Sequence, residues 1–151
     1  MAADIVLATR FGPSSAEPAR VAADLANQLG SRIIVLYVAT ELQALQVGAA
    51  EAGIDPAAER DRIDRRINSE LRDFIDTHMK DLDFDVRIVE GDVADRVAEV
   101  ARDVGAAYIV VGTRGRGSLA RLILGDTTQS ILQRTPCPVI VVPLRDTEEP
   151  Y

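Results

Sequence analysis

The chain has 151 residues, 47% of them hydrophobic, and a formal net charge of −7. This length suits one domain with a single core, and the acidic balance argues against a nucleic-acid-binding protein, which needs a basic surface. No apolar run approaches the ~20 residues of a membrane span, the opening residues are too short a run for a signal peptide, and a single cysteine excludes an intrachain disulfide. We therefore expect a cytoplasmic protein without nucleic-acid or membrane partners.

Two strands and one helix are predicted near the start of the chain. Residues 5–8 form a short apolar run that is typical of a buried strand. Residues 13–15 (Pro-Ser-Ser) predict a turn with a serine N-cap, and apolar residues then repeat every four positions as far as Gly30, which indicates a helix. Residues 33–38 are apolar and rich in β-branched side chains, as expected of a strand covered on both faces.

The middle of the chain predicts a loop, a long helix and a strand at a sheet edge. Residues 39–53 are rich in alanine and glycine with weak periodicity, and we interpret them as a loop. Asp55 followed by Pro56 predicts the start of a helix that reaches about His78, with a solvated, mixed-charge outer face. Residues 84–88 alternate between apolar and charged side chains, which indicates a strand with one face partly exposed.

The last third of the chain predicts a helix, a strand, a glycine-rich loop, a further helix and a final strand. Asp92 is predicted to cap a helix that ends at Gly105, and residues 108–111 form an apolar strand. Glycines follow at positions 112, 115, 117 and 125, and such a loop before a helix N-terminus favours anion binding through backbone N–H groups. Residues 126–129 (Asp-Thr-Thr-Gln) match a capping box, and residues 139–142 form the last strand.

Few residues are candidates for catalysis or metal binding. With one histidine and one cysteine, a zinc cluster or a hydrolase triad is not expected. His78 lies near a predicted helix C-terminus, where a charged imidazole would interact favourably with the helix dipole. Cys137, between two prolines, is predicted to be a buried, inert thiol. We predict no catalytic and no metal-ligating residue.

Strands that alternate with helices imply a parallel, doubly wound α/β sheet, in which ligands bind beyond the carboxyl ends of the strands at a switch point. The spacing of Gly112, Gly115 and Gly125 fits G-x2-G-x9-G-[ST] except at its last position, and a Pro-Cys-Pro-Val segment follows at residues 136–139. In these features the sequence resembles the universal stress protein family. That resemblance implies a five-stranded parallel sheet of order 3-2-1-4-5 with helices on both faces, of the adenine-nucleotide alpha hydrolase-like type, over residues 1–144. Residues 145–151 would form a loose tail.

The resemblance also implies a stress-response module that binds ATP, with Mg²⁺, and hydrolyses it slowly or not at all. The phosphates would lie against the glycine loop, and the ribose and adenine would lie near the ends of the first two strands. The implied phosphate-binding positions are Gly112, Arg114, Gly115, Arg116, Gly125, Asp126 and Thr127. The implied nucleoside-binding positions are Ala8, Thr9, Arg10 and Val38.

Two positions depart from the pattern of ATP-binding members. Arg10 stands where those members usually carry Asp, and Asp126 stands where they carry Ser or Thr. A carboxylate repels phosphate, whereas Asp126 could instead cap its helix or pair with Arg114 or Arg10. The alternative is therefore a dimeric interaction protein of the same fold that binds no ATP, in which the glycines only form a tight turn. A third class, an adenylyl-transferring enzyme, would need His-rich or Ser-Gly-Gly motifs, and the sequence has neither.

The last predicted strand would lie at a sheet edge, where a flat apolar strand needs a partner. The resemblance implies a homodimer in which this strand pairs antiparallel with its two-fold mate. An isologous contact of this kind closes without leaving a free edge. The predicted interface residues are Val139, Ile140, Val141 and Val142.

Overall fold

A computed structural model describes residues 2–114 and 125–144 of the chain. Five strands and five α-helices alternate through these residues, with a short 3₁₀ helix after the first strand. In chain order they are β1 (Ile5–Ala8), the 3₁₀ helix (Pro13–Ser15), α1 (Ala16–Leu29), β2 (Ile33–Val38), α2 (Thr40–Ala52), α3 (Pro56–His78), β3 (Phe84–Val89), α4 (Val93–Val104), β4 (Tyr108–Arg114), α5 (Asp126–Arg134) and β5 (Val139–Leu144).

All neighbouring strands of the sheet are parallel, and their order is β3-β2-β1-β4-β5. The predicted fold and strand order are therefore confirmed. The chain first builds outward from β1 to β3 on one side and then crosses back to place β4 and β5 on the other. The helices that follow β1 and β4 pack on opposite faces of the sheet, so the switch point lies between the carboxyl ends of these two strands.

The core has two layers because side chains of a strand alternate between the faces of the sheet. Ile5 and Leu7 of β1 lie in the layer covered by α1 and the end of α3, whereas Val6 lies in the layer covered by α4 and α5. These three side chains are completely buried. Burial on both faces explains why β1 and β2 are continuous apolar runs.

One predicted loop is a helix. Residues 39–53 were expected to be irregular, but α2 runs from Thr40 to Ala52 and ends before Gly53, whose φ of 68° is a left-handed cap conformation. The prediction was wrong because it relied on periodicity. Alanine favours helix strongly without any apolar stripe, and Leu42, 2% exposed, anchors the first turn of α2 in the core.

The helix starts are confirmed at two of the positions that were predicted to carry side-chain caps. Asp55 accepts a hydrogen bond from Ala57 N–H, and Asp92 accepts one from Asp95 N–H. The third, at residues 13–15, is different, because Ser15 makes no cap hydrogen bond and its hydroxyl donates to the Gly12 carbonyl. None of the described helices combines the length and apolar character that crossing a membrane would need.

Candidate functional site

The candidate site is the crevice beyond the carboxyl ends of β1 and β4, with the end of β2 beside it. Ala8, the last residue of β1, pairs with Leu36 of β2 and with Val111 of β4, so the three strands end at one edge. Thr9 continues from β1 and donates its N–H to the Leu36 carbonyl at 3.0 Å. The structure therefore brings Ala8, Thr9 and the end of β4 together, as the sequence predicted.

The phosphate side of this crevice is formed by the end of β4 and the start of α5. Gly112 lies within β4, opposite Val142, and the strand continues to Arg114, of which the structure describes the backbone. Gly115 and Arg116 lie outside the described residues, as does Gly117. Gly125 precedes α5 with φ −67° and ψ 163°, and a Cβ atom built there would meet no atom of the described residues within 4 Å.

The predicted capping box at the start of α5 is wrong. Gly125 is the N-cap residue, without a side chain to cap the helix, and Asp126 is already helical. From the first helical position Asp126 cannot make the N-cap contact, although its negative charge still complements the helix dipole. Asp126 and Thr127 are both exposed at this helix start. The first backbone N–H groups of α5 have no partner within the helix and face a potential anion site.

The nucleoside side of the crevice holds Arg10, whose side chain is 55% exposed. Its guanidinium lies 3.3 Å from Glu41 Oε2 and 3.4 Å from both the Tyr37 hydroxyl and Thr40 Oγ1. The guanidinium carbon also lies 5.2 Å from the centre of the Tyr37 ring, within cation–π range. Arg10 therefore pairs with Glu41 and not with Asp126. The other alternative for Asp126, pairing with Arg114, depends on a side chain outside the described residues.

Glu41 is the centre of a charged cluster formed by Arg10, Tyr37, Glu41 and Arg66, here called the Glu41 cluster. Its Oε2 atom accepts hydrogen bonds from the Tyr37 hydroxyl at 2.9 Å and from Arg66 at 2.8 Å, in addition to Arg10. Its Oε1 atom is buried and has no hydrogen-bond partner among the described residues. Arg66 also lies 3.6 Å from Glu70 Oε1, so the positive charges of Arg10 and Arg66 are balanced by two carboxylates.

Burial and hydrogen bonding shift the titration of this cluster. Burial, reinforced by the hydrogen bond to Glu41, raises the pKa of Tyr37 to about 12. Burial opposes ionisation of Glu41, but its backbone hydrogen bond and the donors Arg66 and Tyr37 outweigh that effect and hold its pKa below 4.5. The carboxylate of Glu41 is thus charged at neutral pH, and Tyr37 is a neutral donor.

Sequence analysis missed Tyr37, Glu41 and Phe11 as site residues. Tyr37 belongs to an apolar run, and Glu41 fell in the predicted loop, although in a parallel sheet a residue just after β2 must lie near this edge. Phe11 has a positive φ of 63°, and its ring stacks on Tyr37 with the centroids 4.9 Å apart. The one sequence signal for Phe11 was an aromatic residue directly after the strand end.

Two further residues at this edge are buried. Val38 ends β2 and is 5% exposed. Its side chain packs in the core layer beneath α4, so Val38 is a core residue. Thr113 in β4 is 2% exposed, and its hydroxyl has no hydrogen-bond partner among the described residues. Nothing in the described part of the chain groups three or more His, Cys, Asp or Glu side chains for metal binding.

Comparisons with known proteins agree on one family. Residues 1–143 match the sequence model of the Universal stress protein family. The universal stress protein Mb2028c of Mycobacterium bovis is 25% identical over 141 residues, which cover 92% of this chain and 45% of that protein. The chain spans less than half the length of the curated relatives it matches, for example 42% of a universal stress protein of Thermus aquaticus.

Solved structures of the same fold align over nearly the whole chain. The MJ0577 protein of Methanocaldococcus jannaschii aligns with a TM-score of 0.67 and 18% identity, over 97% of this chain and 99% of that one. A universal stress protein in complex with cAMP aligns with a TM-score of 0.61 and 22% identity, over 96% and 100%. A universal stress protein of Archaeoglobus fulgidus in complex with dAMP gives 0.58 and 17%, over 93% and 97%. At these identities the likeness establishes the fold.

Proposed function

The chain belongs to the universal stress protein family, and from this premise we propose that it is a cytoplasmic stress-response protein that binds an adenine nucleotide. The ligand class is an adenosine phosphate, ATP with Mg²⁺ among them, held in the crevice between β1 and β4. The proposed role is binding, with little or no hydrolysis. Occupancy of the crevice would change which surfaces the protein offers to its partners.

The observation that carries this proposal is the start of α5. Gly125 leads into α5 in an extended conformation, and no described atom lies within 4 Å of the position of its missing Cβ. The first N–H groups of α5, which have no partner within the helix, follow directly beside the switch point of the sheet. Backbone donors at a helix N-terminus with room for close approach are a recurring arrangement for phosphate binding. The cAMP and dAMP complexes of two structural neighbours support the adenine nucleotide class.

One observation favours the alternative of a nucleotide-free interaction protein. Arg10 lies against Glu41, Thr40 and Tyr37 at the nucleoside side of the crevice. In that position its side chain occupies space that a ribose or base would need. A ligand must therefore either displace Arg10 or use it.

The test is a thermal-shift titration with Mg-ATP on the wild type and two glycine variants. A ligand at 100 times its Kd should stabilise the wild type by about 2.7 kcal/mol, a shift of several degrees. Gly125→Ala should leave the fold intact, because the new Cβ meets no described atom within 4 Å, yet it should weaken binding because the ligand approaches there. Gly48→Ala in α2, equally open and exposed, is the control and should bind as the wild type does.

The absence of any shift with ATP, ADP, AMP and cAMP at millimolar concentration would overturn the nucleotide proposal. The chain would then be the nucleotide-free interaction protein of the same fold. A shift that persists undiminished in Gly125→Ala would show that the nucleotide binds elsewhere on the molecule.

We further propose that the protein acts as a homodimer through β5, as the sequence predicted. Support comes from the position of β5 at the edge of the sheet, where β4 is its one neighbour among the described strands. Pro143, which cannot donate a backbone hydrogen bond, is typical of such an edge. Unpaired N–H and C=O groups along β5 are available to a second copy of the same strand.

A further inference from the structure

The side chain of Arg10 marks the end of the crevice farthest from the phosphate side. Its partners Tyr37, Thr40 and Glu41 belong to β2 and the start of α2, whereas Gly125 and α5 lie beyond β4. Because β4, β1 and β2 are adjacent strands, about 4.8 Å apart, the two ends are separated by roughly 10 Å. A nucleotide whose 5′-phosphate lies at α5 would therefore place its ribose and base near Arg10.

Arg10 is held more loosely than the other cation of the Glu41 cluster. Its three polar contacts are 3.3–3.4 Å long and its side chain is 55% exposed, whereas Arg66 reaches the same Oε2 atom at 2.8 Å. If Arg10 moved away, Glu41 would still receive hydrogen bonds from Arg66 and the Tyr37 hydroxyl. Releasing Arg10 therefore leaves no bare carboxylate, and its guanidinium is available to a stronger partner.

A guanidinium only donates hydrogen bonds, so it cannot accept them from free ribose hydroxyls as a carboxylate does. It is suited to the oxygens of a phosphate, which it can bind through two parallel N–H donors. Nucleotide sites of α/β sheets show the same exchange, with an acidic residue for a ribose hydroxyl and an arginine for a ribose phosphate.

We propose that Arg10 is a specificity residue which makes the crevice select adenine nucleotides that carry a phosphate on the ribose. This inference rests on the proposed nucleotide-binding function and names its ligand class. Binding moves Arg10 from Glu41 to the ribose phosphate, while Thr40, 3.4 Å from Arg10, offers a hydroxyl on the same side. The positive charge of Arg10 then offsets part of the negative charge of the phosphate.

The experiment compares AMP with adenosine 2′,5′-bisphosphate and adenosine 3′,5′-bisphosphate, which differ from AMP by one ribose phosphate each. ADP is the control ligand, because it adds its phosphate at the opposite end. Affinities are measured by isothermal titration calorimetry at fixed ionic strength for the wild type and for Arg10→Asp, Glu41→Gln and Arg65→Asp. Arg65 pairs with Asp61 and is 79% exposed on α3, so Arg65→Asp reproduces the charge change away from the crevice.

At least one of the two bisphosphates should bind the wild type about tenfold or more tightly than AMP does. This is the effect of a charge-assisted hydrogen bond to the ribose phosphate. Arg10→Asp should turn this gain into a loss and leave the gain from AMP to ADP unchanged. Glu41→Gln should enlarge the gain, because Arg10 loses its competing carboxylate. Arg65→Asp should behave as the wild type, and the better of the two bisphosphates identifies the ribose position.

Two outcomes would overturn the inference, and they are distinguishable. The first is that AMP, ADP or ATP binds but neither bisphosphate binds more tightly than AMP, or that Arg10→Asp still prefers a bisphosphate to AMP. In that case selection by Arg10 is wrong, and the nucleotide-binding function stands. If none of the four adenine nucleotides nor ATP binds, the proposed function is wrong and this inference fails with it. Circular dichroism and the melting temperature of each ligand-free variant show whether it has folded.

Discussion

Phe11 has a backbone conformation that bulky residues rarely adopt, with φ at 63°. Its N–H donates to Thr9 Oγ1 at 3.2 Å, and its ring lies 4.9 Å from Tyr37 and 5.2 Å from Phe74. These contacts hold a left-handed conformation that costs about 1–2 kcal/mol for a residue with a side chain. The same turn points Arg10 toward the end of β2, so local strain lies next to the proposed specificity residue.

Because of this geometry, we expect an unusual order of stability among variants at Phe11. Phe11→Ala should lower the free energy of unfolding by about 2–4 kcal/mol, because the aromatic contacts are lost and the strain stays. Phe11→Gly loses the same contacts but removes the strain, so we expect it to be more stable than Phe11→Ala by up to about 1 kcal/mol. Urea denaturation measures both variants.

Phe74 provides the matched control for that comparison. It lies in the same aromatic group but within α3, where glycine is less favourable than alanine by about 1 kcal/mol. Phe74→Gly should therefore be less stable than Phe74→Ala. The explanation by strain would be wrong if Phe11 followed the same order as Phe74.

At the scale of single residues, the sequence predicted where in the fold a residue lies better than it predicted which side chains that residue contacts. Ala8, Thr9 and Arg10 follow an apolar run, and in a parallel sheet that places them at the ligand-binding edge. The partners of Arg10 could not be predicted, because a long arginine side chain chooses among groups that only the tertiary structure assembles. Its main partner, Glu41, lies in the first turn of a helix that the sequence had suggested to be a loop.

At the scale of elements, strands and helices were predictable where burial imposes a period. All five strands are short apolar or alternating runs, and α4 shows a clear apolar face with Val97 and Val100 buried. The weakly periodic α2 was not predicted because Leu42 is the one buried residue among its described side chains. The predicted N-cap of α5 was one residue too late, because Gly125 is the N-cap and Asp126 is already helical. Side-chain preferences do not decide between these two positions.

The backbone of β5 supplies the test of the proposed dimer. Ile109 N–H donates to the Pro138 carbonyl at 3.0 Å, and backbone groups alternate along a parallel strand. Val139, Val141 and Pro143 therefore direct their backbone groups away from β4. Antiparallel pairing about a two-fold axis at Val141 would form two symmetric hydrogen bonds there, one donated by each copy.

Val141→Pro removes this outward N–H group from both protomers. The loss of two hydrogen bonds should weaken the dimer by about 2–3 kcal/mol, roughly 30- to 150-fold in dissociation constant. Pro143→Val, which adds an outward donor instead, should strengthen it. Sedimentation velocity over a range of protein concentrations measures both, and an unchanged dimer in Val141→Pro would place the interface elsewhere.

At the scale of the whole molecule, titration of three described side chains sets limits to the stable pH range. The pKa of Glu41 is lowered, so its contribution to folding is present above pH 4.5 and is lost as the pH falls below that value. The pKa of Tyr37 is raised to about 12, so its contribution is lost as the pH rises from 10 to about 12. Between these limits lies the usual pKa of the imidazole of His78, the one histidine of the chain.

His78 ends α3 with its ring 5.0 Å from that of Phe74, and burial lowers its pKa below 6.5. The expected gain from a charged imidazole at the helix C-terminus is therefore outweighed by desolvation. Because the unfolded chain binds this proton more readily, folding stability should be complete above pH 6.5 and decline below it, until the pH reaches the folded pKa. Urea midpoints measured from pH 7.5 to 5.5 should fall in the wild type and change less in His78→Gln, whose side chain does not titrate. If the urea midpoints of the two proteins fell in parallel, burial of His78 would not govern stability in this pH range. The acidic groups of the chain, whose net charge is −7, would control it instead.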